Sequence, residues 1–292
     1  MLQENLKAHV EIELSSINNK PTNILGTKPL SGGCINESVQ LKTNNGFYFL
    51  KWNDAKAYPL MFETEAKGLK LLLSAGAIGV PKVVSRSEFE NTSYLLLEFI
   101  EAGKEIKNYY ETFGTNLARL HKCSDNDFGL EYNNYIGSLK QYNKQNSDGV
   151  TFFIEQRLQK QLSLAQENGL LPLELKRKFE TFFERLPDLI PNEKPALLHG
   201  DLWSGNFITG KNGAAWLIDP AVYYGFREID IAMSRLFGGF NHSFYSSYNN
   251  AFPMEPGWEQ RLDYYNLYPL LVHVNLFGSS YLKQIESILS KF

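Results

Sequence analysis

Cysteine is scarce: Cys34 and Cys123 are the only two in the sequence, too few for a disulfide framework or a four-thiolate metal site. Long apolar runs are missing as well. Stretches such as Leu95-Leu96-Leu97 are short, and a membrane-spanning helix needs roughly 18 residues of that kind. Neither sign of charge is in marked excess: 29 Lys and Arg face 32 Asp and Glu, a formal net charge of −3. That balance gives no global electrostatic case for nucleic acid or an anionic membrane as partner. The five histidines show no HxxxH or HxH spacing, so no zinc site is expected. The opening MLQENLKAHVEIEL lacks the basic-then-apolar layout of a signal peptide, and neither internal repeats nor a low-complexity linker occurs. These absences make a soluble, cytoplasmic enzyme in a reducing compartment the expected class.

What is present is bulk for a core. The 292 residues are 43% hydrophobic, with 20 Phe, 16 Tyr and 4 Trp, a length that suggests about two domains or one split into lobes. Residues 21–52 alternate and turn, with an Asn-Asn-Gly step before GFYFLKW that reads as a hairpin. Phe62, Ala66, Leu69 and Leu73 recur at helical spacing and stop at Gly76. VPKVV and SYLLLEFI then read as two further strands, the second apolar enough to be buried. The order predicts a small sheet with one inserted helix.

After residue 100 the pattern turns helical, with a stripe of Tyr110, Phe113, Leu117 and Leu120, then helices ending at Gly169 and near Pro187. PALLH and AAWLID are short apolar strands, and the chain from Trp258 reads as helical with breaks at Pro269 and Gly278. The fold class expected is α+β, with lobes of residues 1–100 and 101–292.

The chemistry is concentrated in LLHGDLWSGNFITGKNGAAWLIDP, residues 197–220, which places Asp201, Asn206 and Asp219 within 19 residues. Phosphoryl transfer needs a carboxylate to take the acceptor hydroxyl's proton and oxygen ligands for Mg²⁺ on the nucleotide phosphates. Aspartate, asparagine five residues on, then aspartate at a strand end is the order of a kinase catalytic loop and its metal-binding aspartate. Two surface turns are the alternative, since Asp, Asn and Gly favour turns; three positions in the right order on the right elements weigh against it. Kinase chemistry also needs a strand lysine on the phosphates and a helix glutamate to hold it. Lys51 closes GFYFLK, and Glu65, with Glu63 as fallback, lies on the following helix. Gly32-Gly33 before a strand would let backbone N–H groups approach phosphate, though Ser-Gly-Gly is also an ordinary turn. Glu98, Phe99 and Ile100, leaving SYLLLEFI, form the expected hinge where backbone groups would meet adenine.

Other residues carry two readings each. His199 and His121 read as structural rather than as base or ligand. Asp230 reads as an acceptor for catalytic-loop N–H groups, or as an acid favoured at a helix N-terminus. Trp203, beside Asp201, reads either as a stacking surface for a sugar or as core.

These residues resemble the fructosamine/ketosamine-3-kinase family, small-molecule relatives of the aminoglycoside phosphotransferases in the protein-kinase-like fold. HGDLWSGN (199–206) and DPAVYYGFREIDIAMSRLFGGF (219–240) carry the likeness. SGGCIN (31–36), LARLH (117–121), NYIGS (134–138), FFIEQRLQKQLSLA (152–165) and PGWEQRLDYYNLY (256–268) extend it over almost the whole chain. Three positions depart from the family pattern: Phe226 replaces a polar residue, SLKQYN replaces a Thr-Pro-Gln wording, and Gly149-Val150 lacks a tryptophan. The resemblance implies a two-lobed fold with a small antiparallel N-lobe sheet and a mainly helical C-lobe. It implies ATP and Mg²⁺ as cofactors and phosphorylation of the 3-hydroxyl of ketosamines, free or protein-bound, leading to deglycation. In that reading Asp201 is the general base, Asn206 and Asp219 bind Mg²⁺, Lys51 holds the phosphates and Glu65 positions Lys51. The resemblance further implies that Cys34 is redox-sensitive, so that the protein is a monomer or a redox-sensitive homodimer. Rival readings are a phosphotransferase for an aminoglycoside or choline, and a nucleotide-binding pseudokinase.

Overall fold

The computed structural model describes residues 2–30 and 36–292. Gly32, Gly33 and Cys34, and the phosphate-loop and redox expectations attached to them, lie outside the described residues. The N-terminal part runs α1 (Glu4–Asn18), β1 (Ile24–Pro29), β2 (Glu37–Thr43), β3 (Gly46–Asp54), α2 (Met61–Ala75), β4 (Val83–Phe89) and β5 (Thr92–Glu98). Its strands form one antiparallel sheet in the order β1-β2-β3-β5-β4. Side chains alternate across a strand, so β5 serves both faces of the sheet. Leu95 and Leu97 join the core that includes Phe62, Ala66 and Leu69 of α2, while Tyr94 and Leu96 join Leu6, Val10 and Leu14 of α1. That double burial is why SYLLLEFI is nearly all apolar.

One helix was expected in this part and two are present. The stripe of α1 is only Leu6, Val10 and Leu14, and Ile12 and Ile17 beside it are exposed, which blurs the amphipathic pattern. α2 ends as expected, with Gly76 in the left-handed conformation (φ 61°).

The remainder is mainly helical. It runs α3 (Tyr109–His121), a hairpin of β6 (Asn134–Ile136) and β7 (Leu139–Gln141), α4 (Gly149–Phe152), a π-helical turn Phe153–Leu158, α5 (Gln159–Glu167) and α6 (Leu173–Leu189). Then come β8 (Ala196–Leu198), β9 (Phe207–Thr209), β10 (Ala215–Leu217), β11 (Tyr223–Gly225), α7 (Glu228–Leu236), α8 (His242–Ala251), α9 (Trp258–Phe277) and α10 (Leu282–Leu289). α6 ends at Leu189, two residues past Pro187, where the stop was expected. One expected break is not a break. Pro269 lies inside α9 and is itself buried among Tyr265, Leu270 and Val272, so packing along the helix outweighs the missing donor. Among the described residues no helix is long and apolar enough to cross a membrane.

Candidate active site

β3 delivers Lys51 to the sheet's α2 side, opposite Leu95 on β5. The side chain is buried, at 4% exposure, and a buried ammonium must be paired. Its partners are Glu65 Oε1 of α2 at 2.5 Å and Asp219 Oδ1 at 2.7 Å. Glu63 points elsewhere, to Lys67 at 2.9 Å and Arg86 at 3.1 Å. Burial works to lower the Lys51 pKa, but the Asp219 and Glu65 carboxylates outweigh it and raise it. Burial likewise pushes Glu65 upward, with Lys51 opposing. For Asp219, burial pushes up and Lys51 wins, holding the carboxylate below its ordinary range. Asp219 adopts φ 51°, a left-handed backbone that non-glycine residues seldom take and that concentrates at functional sites.

β8 leads into the loop His199-Gly200-Asp201. Gly200 is at φ +83°, and a Cβ there would stand 2.1 Å from the Ala221 carbonyl oxygen; no other residue fits. The buried Asp230 carboxylate accepts the N–H groups of His199 at 2.8 Å and Gly200 at 2.9 Å. His121, the last residue of α3, bridges Asp230 Oδ2 at 3.1 Å and the Tyr248 hydroxyl at 2.8 Å. His199 Nε2 lies 2.9 Å from the Ile218 carbonyl, so it carries the proton, and Nδ1 accepts the Asp201 N–H at 3.3 Å. Burial lowers the His199 pKa; the ring is neutral and structural.

Asp201 Oδ2 accepts from Asn206 Nδ2 at 2.8 Å, and the same nitrogen donates to the Asp201 carbonyl at 2.9 Å. Asn206 therefore directs its nitrogen at Asp201 and keeps an oxygen for other use. Burial pushes the Asp201 carboxyl up to about 7; the Asn206 hydrogen bond opposes this, and the Asp219 and Asp230 charges add to it. Such a carboxyl is poised near neutral pH, as a general base requires.

The remaining sequence-predicted residues lie around this centre. Glu98 ends β5, and its N–H donates to the Lys82 carbonyl at 2.9 Å. Phe99 and Ile100 follow outside the strand. Trp203, partly exposed, meets Phe237 edge-to-face at 6.4 Å. Sequence reasoning missed the double contact of His121; its signal was a histidine closing the apolar stripe LARLH. Two family departures touch each other: a Cβ on Gly149 would stand 2.5 Å from both Phe226 Cζ and Phe128 Cζ, so the small residue makes room for the large one.

A family model for fructosamine kinase matches residues 6–292. The chain belongs to the fructosamine kinase family. A probable ketoamine kinase of Enterococcus faecium is 41% identical over 268 residues, covering 90% of this chain and 94% of that protein. A chloroplastic protein-ribulosamine 3-kinase of Arabidopsis thaliana is 39% identical over 278 residues, covering 94% and 84%. A solved structure assigned as a fructosamine-3-kinase of Haemophilus somnus 129PT superposes with a TM-score of 0.87 at 29% identity, covering 98% and 99%. This fructosamine kinase family member is accordingly an ATP-dependent phosphotransferase of kinase-like α+β fold.

Proposed function

We propose that the chain phosphorylates the 3-hydroxyl of fructosamine- or ribulosamine-type adducts with Mg-ATP, and that the resulting 3-phosphate frees the amine. The observation that carries this reading is the convergence of Lys51, Glu65 and Asp219 with the Asp201–Asn206 pair, together with the ketoamine and ribulosamine kinase names of its relatives. Asp201 takes the proton of the acceptor hydroxyl. Lys51, held by Glu65, holds the α/β-phosphates, with Gly32 and Gly33 as further phosphate-binding residues. Phe99, Ile100 and the carbonyl of Glu98 meet the adenine at a hinge between lobes of residues 1–100 and 101–292. Trp203 offers an aromatic face to the sugar.

Asn206 Oδ1 and the Asp219 carboxylate would hold Mg²⁺, and the donor set suits it: hard oxygens, one of them charged. Among the described residues no group of three or more His, Cys, Asp or Glu gathers to bind a metal, and Mg²⁺ on a nucleotide uses one or two carboxylates with water and phosphate. Bound there, the ion would neutralise charge on the transferring phosphoryl group. The proposed location is the reducing cytoplasm, where Cys34 stays a thiol until oxidised and the protein is a monomer or a redox-sensitive homodimer. The test is a coupled ADP-release assay with Mg-ATP on ribulose-lysine, fructose-lysine and kanamycin, with Asp201→Asn alongside. Turnover on a sugar-lysine that the variant loses is expected; turnover on kanamycin alone overturns the substrate class, and none at all the reaction.

A further inference from the structure

NYIGS and FFIEQRL mark the family, yet none of their residues enters the chemistry above. NYIGS opens the β6–β7 hairpin, which lies against α2, the carrier of Glu65, and against the segment that follows Asp219. Asn134 Nδ2 donates to the Val222 carbonyl at 2.9 Å, and Gln141 Nε2 to the Ala221 carbonyl at 3.0 Å. The two amides are tied to each other, Gln141 Nε2 to Asn134 Oδ1 at 2.9 Å, and Tyr268 of α9 fixes the orientation of Gln141 by donating to Oε1 at 2.8 Å. Asn143 Nδ2 adds a second donor to Asn134 Oδ1 at 2.8 Å, and the buried Arg157 of the π-helical turn, in FFIEQRL, donates to Asn143 Oδ1 at 2.7 Å. The amides of Asn134, Gln141 and Asn143 all have partners, and buried amides satisfied in this way fix one geometry. On the other side the Ala221 N–H donates to the His199 carbonyl at 2.9 Å, so residues 221–222 are clamped between hairpin and catalytic loop.

The same hairpin reaches the N-terminal part. The Tyr135 hydroxyl donates to the Pro59 carbonyl at 3.0 Å, just before α2. Val222 itself lies under α2: a Cβ on Gly68 would meet Val222 Cγ2 at 3.1 Å. Gly68 is three residues from Glu65, on the same helix face. One hairpin thus touches the helix that aims Lys51 and the strap that aims Asp219. The strap, residues 220–222, is short, since β11 begins at Tyr223.

We propose that the β6–β7 hairpin is a brace, with Asn134 and Gln141 as positioning residues, that fixes Asp219 and α2 relative to Asp201. The brace holds the phosphate- and metal-binding groups in register before any ligand arrives. This rests on the reading of Asp219 as a Mg²⁺ ligand, and the experiment separates the two. Gln141→Met keeps bulk and removes both bonds to the strap and its partner amide. Tyr268→Phe releases the orientation of Gln141 and leaves its donors in place. Tyr135→Phe cuts only the tie to Pro59.

Each variant is assayed for kcat and KM on ribulose-lysine, and by calorimetry for ADP with and without Mg²⁺. Because a misplacement near 1 Å costs about 10²-fold, Gln141→Met is expected to lose about 10–100-fold in kcat with KM for ribulose-lysine within about twofold. Its Mg²⁺-dependent tightening of ADP disappears while Mg²⁺-free ADP binds as in the wild type; Tyr268→Phe and Tyr135→Phe shift the same two readouts by smaller factors. Wild-type kcat and Mg²⁺ response in Gln141→Met, or in Tyr268→Phe should the first not fold, overturn the brace. So does a parallel fall in kcat and in Mg²⁺-free ADP affinity, which marks general loosening. A wild-type enzyme without any Mg²⁺ effect on ADP overturns the metal-ligand reading, and the brace with it.

Discussion

Asp201→Asn is expected to remove activity and add stability, and the two effects have different pH signatures. The carboxyl has an ordinary value of 3.8 and is pushed to about 7 in the fold by burial, against the hydrogen bond of Asn206. A folded-state value above the unfolded one means the fold prefers the protonated form. The preference stabilises fully below about pH 4 and is lost as pH rises to about 7. Across that interval the loss is at most about 4 kcal/mol at about 1.4 kcal/mol per pH unit; because Asp201 is partly exposed, solvent screening brings it to about 2 kcal/mol. Asparagine cannot ionise, and its own side-chain oxygen can accept the bond that Asn206 Nδ2 now gives to Oδ2.

Without Mg²⁺ or nucleotide, the variant should therefore be more stable than the wild type by about 2 kcal/mol at pH 8, and by less than about 1 kcal/mol at pH 4.5. Paired urea melts at the two pH values measure this directly. Equal stabilities at pH 8, or a gap that widens toward acid, would refute the claim that Asp201 is held against ionisation. Kinetics gives the complementary sign. The loss of a general base costs about 10²–10⁴-fold in rate, and kcat/KM of the wild type should fall about tenfold per unit as pH drops below 7. A flat profile from pH 8 to pH 5.5 would remove Asp201 from the base role.

Glu65→Gln leaves the Lys51 ammonium with one carboxylate, Asp219, in place of two; ATP affinity or kcat should drop about 10-fold or more, whereas Glu63→Gln, at the surface ion pairs, should change either by less than about twofold. Gly200→Ala puts a methyl 2.1 Å from the Ala221 oxygen in a strained φ, and should cost more than about 3 kcal/mol in denaturant melts; a loss under 1 kcal/mol would show that the loop relaxes. Leu14→Ala in α1, fully buried on the sheet's outer face, should lose about 2–5 kcal/mol with KM for ATP unchanged, which thermal melts and steady-state kinetics check together.

The difference between what was readable and what was not follows from the range of the interactions. Asp201, Asn206 and Asp219 lie within one loop–strand–strand passage, and their spacing is set by that local geometry, so it appears in the sequence as a pattern. Glu65 was separable from Glu63 by helical phase: it sits three residues after Phe62 and four before Leu69, both buried on α2, so its side chain must face inward. α1 escaped because three buried apolar residues in 15, with two exposed isoleucines beside them, leave little periodicity to detect. The short strands β6, β7, β9 and β11 span three residues each, less than two full periods of alternation.

The brace was unreadable for a different reason. Its effective groups are neutral amides whose partners are backbone carbonyls 88 and 80 residues away in the chain. A carbonyl is present at every position, so the partner's identity leaves no trace in the sequence, and an amide in a polar hairpin looks like any turn residue. The same holds for Gly149 and Phe226, each of which reads alone as a departure from the family pattern, and which together form one contact. A charged residue announces its role because burying it unpaired is prohibitive and few residue types can pair with it. An amide holding a main-chain carbonyl is under no such restriction on its partner, and its role becomes visible only when the chain is folded around it.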